Sequence, residues 1–214
     1  MSTYLKSFVF SPFQENTYVV YDDTKQCVIV DPGCYEQREK EELKNWIESK
    51  DLKPVMLLNT HSHLDHVFGN AYVARTWNLI PQVHELDRPV YERFDAMASA
   101  YGIPGTETPP EPEYNLEEGK SISFGATKFE VHFLPGHCPG HVVFECSEAN
   151  WILGGDVLFR SSIGRTDLPG GDMDTLMDSI KNKLMKLDEN RVVYSGHGPK
   201  TTLREEKATN PFLQ

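Results

Sequence analysis

The 214-residue chain contains no run approaching the roughly 18 consecutive apolar residues of a membrane span. Its opening stretch, MSTYLKSFVFSPFQENTY, has no basic segment, no long apolar run and no small-residue cleavage site, so no secretory leader is expected and the expected setting is cytoplasmic. Cysteine is scarce. Cys27, Cys34, Cys138 and Cys146 show no CxxC spacing, which leaves reduced cytosolic thiols as the reading. Basic residues are outnumbered, 21 Lys and Arg against 32 Asp and Glu, for a formal net charge of −11. Such a surface repels duplex nucleic acid, whose binding needs clustered Lys and Arg, so neither a nucleic-acid nor a membrane partner is expected. Repeats and low-complexity segments are also missing, and no linker divides the chain, so residues 1–214 are expected to form one domain, as a monomer or a homodimer.

What is present is an ordered alternation of strand and helix patterns. YLKSFVF, NTYVVYD and QCVIVDPG alternate β-branched and aromatic residues between turn-formers and read as strands. REKEELKNWIESKD reads as a helix with Leu43, Trp46 and Ile47 on its buried stripe. PVMLLNT is a short buried strand, 67–78 a helix, 80–83 a strand and about 85–100 a further helix. YGIPGTETPPEPEYN, rich in Pro, Gly and Glu, reads as a surface loop beside the functional site. Strands return in KSISFG, TKFEVHFLP, HVVFEC and NWILGGD. A helix over 172–187 (Leu176, Ile180, Leu184 and Leu187 on one stripe), the strand RVVYSG and a helix over 201–208 complete the chain. Each half supplies its own sheet and helices, which predicts an α+β fold with two sheets face to face and helices outside.

The densest chemical signal is HSHLDH, four candidate ligands in six residues directly after a strand. In an extended loop, side chains two apart point the same way, so His61 and His63 can grip one ion. Asp65 and His66, where the chain turns into a helix, can reach a second. Three later elements repeat one design, an apolar strand, then glycine, then a ligand: FLPGHCPGH offers His137, WILGGDV offers Asp156 and VVYSGHGP offers His197. Glycine there lets the backbone approach an ion without a Cβ clash. His84, His132 and His141 are not assigned as ligands, although His141 lies close enough to support one.

Five neutral imidazoles and two carboxylates set against two divalent cations and a bridging hydroxide leave about one positive charge, which favours a developing anion. Imidazole and carboxylate without thiolate suit two divalent ions, Zn²⁺ first, with Fe or Mn²⁺ as alternatives. Two ions about 3.5–4 Å apart lower the pKa of a shared water toward 7, producing a hydroxide that attacks a carbonyl. Asp65 is the candidate catalytic residue that orients this nucleophile and takes its proton, and Asp156, with two oxygens to share, is the natural bridge.

HSHLDH, GHCPGH, GGD and SGHG, in this order and spacing, resemble the metallo-β-lactamase superfamily over essentially the whole chain, as do QENTY at 14–18 and the VDPG turn at Asp31. The resemblance implies a four-layer αββα sandwich with His61, His63 and His137 on a first metal, Asp65, His66 and His197 on a second, and Asp156 bridging. Within the superfamily, GDVLFRSSIGRTDLPGGDMDTLMDSI and GHGPKTTLREEKATNPF are similar to the short glyoxalase II-like thioester hydrolases, which implies an S-acylglutathione substrate such as S-lactoylglutathione. Two departures stand against that substrate. The helical C-terminal domain of full-length glyoxalase II has no counterpart, and Gly198 and Pro199 replace an aromatic glutathione contact. Arg165 falls where those enzymes place a basic residue near glutathione; it can pair with a substrate carboxylate or with Asp167. An iron-dependent persulfide dioxygenase is the competing class on the same ligand residues. A β-lactam hydrolase is disfavoured by the expected cytoplasmic setting, a nuclease by the lack of an inserted binding arm, and a degenerate binding protein by the retention of all seven ligand positions.

Overall fold

In the computed structural model, which describes residues 2–214, the period-two strands at the N-terminus pair as a meander. β1 (Thr3–Phe10), β2 (Glu15–Asp22) and β3 (Gln26–Val30) run antiparallel. Helix α1 (Gln37–Ser49) then crosses over, and β4 (Lys53–Leu58) joins β3 in parallel. Helices α2 (Leu64–Val67) and α3 (Asn70–Trp77) lead to β5 (Pro81–Val83). Helices α4 (Arg88–Tyr91) and α5 (Phe94–Ala100) lead to β6 (Glu113–Tyr114), which closes a mixed six-stranded sheet in sequence order.

The second half builds the second sheet. β7 (Ser121–Phe124), β8 (Thr127–Phe133), β9 (Val142–Cys146) and β10 (Trp151–Gly155) form another antiparallel meander. A small hairpin, β11 (Leu158–Phe159) and β12 (Ser162–Ile163), and helix α6 (Met173–Asp178) follow. β13 (Val192–Ser195) lies parallel to β10, β14 (Thr201–Thr202) pairs with β13, and α7 (Leu203–Thr209) follows.

Alternation along the strands sorts side chains into three buried layers. Val20, Val28, Val30 and Leu58 meet Phe129, Val131, Phe144 and Leu153 between the sheets. Their neighbours in sequence face outward: Val19, Cys27, Ile29 and Leu57 pack on Leu43 and Ile47 of α1 and Val73 of α3. On the far side Val143, Ile152 and Val193 pack on Leu176, Ile180, Leu184 and Leu203. The result is the expected αββα sandwich. Each fully buried aliphatic or aromatic side chain contributes about 1.5–3 kcal/mol by leaving water.

Several helices differ from their sequence reading. The helix expected over 67–78 starts at Leu64 and breaks before Asn70, where Gly69 N–H donates to Pro32 O at 2.7 Å and a Cβ on Gly69 would strike Cys34 Sγ. The helix expected over 85–100 is a 3₁₀ turn followed by α4 and α5, since Pro89 starts a new helical turn and Asp87 spends its carboxylate elsewhere. The helix expected over 172–187 is α6, then a π turn over Ser179–Lys183 and a 3₁₀ turn over Leu184–Lys186; Ser179 Oγ donates to Pro135 O there. The stretch 201–208 is split between β14 and α7. The loop 101–115 is not a flank of the functional site beyond Tyr101. Glu107 ties it to Lys40 and Arg75 on the outer helices, at 2.9 and 2.7 Å.

Candidate metal centre

The C-terminal ends of β4, β8, β10 and β13 deliver their loops to one edge of the sandwich, and the seven sequence-predicted residues meet there. Single ligand atoms of His61, His63 and His137 lie within 4.8 Å of one another, and so do those of Asp65, His66 and His197. Asp156 stands between the two trios. Its Oδ1 is 3.5 Å from His66 Nε2, and its Oδ2 is 3.6 Å from both His137 Nε2 and His197 Nε2. Asp65 Oδ2 is 3.1 Å from His197 Nε2.

Three of the imidazoles, His61, His137 and His197, are steered by their other nitrogen. His137 Nδ1 donates to Arg165 O at 2.8 Å and His197 Nδ1 to Phe13 O at 3.1 Å, which turns both Nε2 atoms inward. Thr60 donates its hydroxyl to Asp31 Oδ2 at 2.6 Å, so its oxygen accepts from His61 Nδ1 at 3.0 Å. Asp31 Oδ2 also lies 3.2 Å from His66 Nδ1. One carboxylate therefore steadies an imidazole in each trio. Asp31 holds this place in a left-handed conformation, φ 49°, which for a residue with a Cβ costs about 1–3 kcal/mol. Asp87 ties two ligand loops together by accepting from Ser62 N at 2.6 Å and Gly140 N at 2.9 Å. His141 Nε2 accepts from Asp156 N at 3.0 Å and so supports the bridging loop. Gly196 is needed for close approach: a Cβ there would land on Asp156 Oδ1 and 2.7 Å from His66 Cε1.

The electrostatics divide the trios. Burial, followed by the neighbouring imidazoles, drives His61 well below its ordinary pKa, and burial with His137 beside it pushes His63 down to about 3. These rings keep free lone pairs at neutral pH. Burial opposes charge on His66 as well, but Asp156 and Asp65 outweigh it and raise its pKa well above the ordinary value. His197 is raised in the same way, burial being outweighed by Asp65 and Asp156. Burial alone would lift the two carboxyls; His66 and His197 for Asp65, and His66 with His137 for Asp156, hold both below their ordinary range. Among the described residues His61 Nε2, both ring nitrogens of His66 and Asp156 Oδ1 are buried with no hydrogen-bond partner. An unmade bond on a buried polar group costs roughly 1–3 kcal/mol. Ligand atoms that are orphaned, or that pair only with one another, as His63 Nδ1 does with His137 Nε2 at 2.8 Å and Asp65 Oδ2 with His197 Nε2 at 3.1 Å, fit divalent cations.

A cavity of about 890 Å³ opens over the cluster, within the range of small-molecule sites. His63, Asp65, His137, Asp156 and His197 form its floor. Arg165 lines it, but its guanidinium is held by Asp167 through two 2.7 Å bonds, the pairing that its sequence neighbour suggested. Two histidines left unassigned lie apart from the cluster: His132 bonds Glu145 at 2.8 Å and His84 stacks on Phe133. All four cysteines are free and buried, and burial pushes the Cys138 thiol well above its ordinary range.

A sandwich carrying imidazoles and carboxylates on one loop edge defines a metal-binding class of α+β protein. The chain belongs to the metallo-β-lactamase superfamily, whose family model matches residues 10–197. It is 38% identical over 202 residues to the hydroxyacylglutathione hydrolase GloC of Haemophilus influenzae, covering 94% of this chain and 93% of that one. Among solved structures it is similar to BLEG-1, described as a B3 metallo-β-lactamase, at 37% identity and TM-score 0.88, covering 99% of this chain and all of that one. It is also similar to TTHA1623 in a di-iron-bound form, at 41% identity and TM-score 0.87, covering 97% of this chain and all of that one. No helix among the described residues is long and apolar enough to cross a membrane.

Proposed function

We propose that the chain is a dinuclear metal hydrolase that cleaves thioesters, with S-acylglutathiones such as S-lactoylglutathione as the substrate class. The observation that carries this reading is Asp156, which stands between the trios: its Oδ2 lies 3.6 Å from His137 Nε2 of one and from His197 Nε2 of the other, and its Oδ1 lies 3.5 Å from His66 Nε2. His61, His63 and His137 would hold one ion, Asp65, His66 and His197 the other, and Asp156 both. Bound there, the ions supply Lewis acidity that activates water and polarises a carbonyl. Asp65 is ionised at neutral pH and faces the cavity, so it can orient the attacking water and accept its proton. Thr60, held by Asp31, Arg165 O and Phe13 O fix the rings of His61, His137 and His197, so little reorganisation of these is needed as charge develops. The likeness to GloC supports a hydroxyacylglutathione substrate. Zn²⁺ suits the ligand set, and the di-iron form of TTHA1623 makes iron the first alternative.

A second reading, β-lactam hydrolysis, is favoured by the likeness to BLEG-1. The deciding experiment is metal analysis of the purified protein together with turnover of a thioester panel and a β-lactam panel, and oxygen uptake on glutathione persulfide. Two equivalents of metal and turnover confined to thioesters is the expected result. Oxygen uptake, or turnover confined to β-lactams, would overturn it.

A further inference from the structure

Five side chains that the proposed chemistry leaves unused line the same cavity: Val90, Arg93, Phe94, Met97 and Tyr101. Their spacing is that of a single helical face, carried across the break between α4 and α5. α5 is seated on the metal loop, since Phe94 and Ala98 pack with Leu64, Val67 and Phe68, so this face rises directly beside His63 and Asp65. Phe13 joins it, its ring edge-on to Tyr101 at 6.4 Å. Phe13 and Tyr101 remain 40% and 51% exposed, apolar surface left uncovered at the cavity mouth.

The cavity also carries three arginines. Arg165 is bound by Asp167, and Arg160 lies 3.2 Å from Glu205. Arg93 has neither an ion pair nor a side-chain hydrogen bond among the described residues, although the chain carries a net charge of −11. A planar guanidinium with all its donors free, at the edge of an apolar wall, matches a hydrocarbon chain that ends in a carboxylate.

We propose that this face is the acyl subsite and that it selects an acyl chain with an apolar body and a terminal carboxylate. The body would lie on Val90, Phe94 and Met97 and the carboxylate on Arg93. The inference rests on the thioester reading above and narrows its acyl group to chains longer than lactoyl, which has neither an apolar body nor a terminal carboxylate. The acyl arm is favoured over the thiol arm because the amides of a glutathione peptide find no partners on an apolar wall.

The test compares N-acetylcysteamine thioesters of hexanoate and of 5-carboxypentanoate, equal in length and with a neutral thiol arm. Metal-loaded wild type should prefer the carboxylated chain in kcat/KM by about tenfold, the scale of one charged hydrogen bond. Arg93→Ala should bring that ratio toward one, and Arg93→Lys should restore part of it. Met97→Ser should lower kcat/KM for both six-carbon chains relative to acetyl. Calorimetry with the matching non-hydrolysable thioethers gives a readout independent of turnover: wild type should bind the carboxylated thioether about tenfold more tightly and Arg93→Ala should not. A wild-type ratio near one, or a ratio that survives Arg93→Ala, overturns the proposal. If no thioester is hydrolysed while the thioethers still discriminate, the thioester reading fails and the subsite stands. Hydrolysis without discrimination sinks the subsite alone.

Discussion

Asp31→Asn leaves all seven proposed ligands in place and should still loosen the metal. The Asp31 carboxylate accepts from Thr60 N at 2.7 Å and from Thr60 Oγ1 at 2.6 Å, and Oδ2 lies 3.2 Å from His66 Nδ1. An amide can keep the first bond, but it presents an NH₂ where the Thr60 hydroxyl and the His66 ring both point. Losing one charged hydrogen bond among buried groups costs about 1.5–3 kcal/mol. For a chain of this size each kcal/mol lowers Tm by roughly 2–4 °C, so a fall of about 3–12 °C is expected. Asparagine tolerates the left-handed backbone at this position, so the fold should survive. Because the carboxylate lies 3.2 Å from His66 Nδ1, an ion-pair distance, and reaches His61 through Thr60, affinity should fall at both proposed ion positions, by about 10–100-fold. Chelator competition measures the affinity, and thermal denaturation of the metal-free protein measures the fold. A lower Tm with unchanged metal affinity would show that Asp31 serves only the fold and refute the orienting role.

Gly196→Ala drives a Cβ onto Asp156 Oδ1, and turnover should fall roughly a hundredfold, the scale of a 1 Å misplacement; unchanged kcat and metal content would contradict the close approach. In the metal-free protein His61, His63 and His141 sit below the ordinary 6.5, chiefly through burial, so below pH 6.5 the unfolded chain binds protons that the folded chain refuses. Stability should therefore fall on acidification by up to about 1.4 kcal/mol per pH unit per histidine. His66 and His197 are raised; their contribution is complete below 6.5 and fades as the pH rises through their folded values. Melting in excess chelator should thus be highest near neutrality, and a Tm that kept rising as the pH fell to about 5 would show the sign to be wrong. Arg165→Ala should raise KM for a glutathione thioester more than for a small neutral ester, and equal effects would leave Arg165 as the partner of Asp167 alone.

The residues at the centre were legible because each lies beside a local signal. HSHLDH is contiguous, and His137, Asp156 and His197 each follow a strand and a glycine. The layers were legible because Val19 and Val20, or Ile152 and Leu153, alternate with the pleat. The supports were not. Asp87 accepts from Ser62 and Gly140, 25 and 53 residues away, and nothing near it in sequence marks that role. The stripe of Leu176, Ile180 and Leu184 predicts a helix over 172–187, but these residues keep one face whether the turn is α or π, so the widening at Ser179 leaves no trace in the pattern. The β11–β12 hairpin escaped because its strands are two residues long; Glu206 holds it from α7 by accepting from Ser161 N at 2.8 Å.

Anomalous diffraction from crystals of the metal-loaded protein tests the paired-ion centre most directly. Two peaks are expected, one among His61, His63 and His137 and one among Asp65, His66 and His197, with an oxygen of Asp156 on each. A single peak, or ions seated away from these side chains, would contradict the dinuclear assignment.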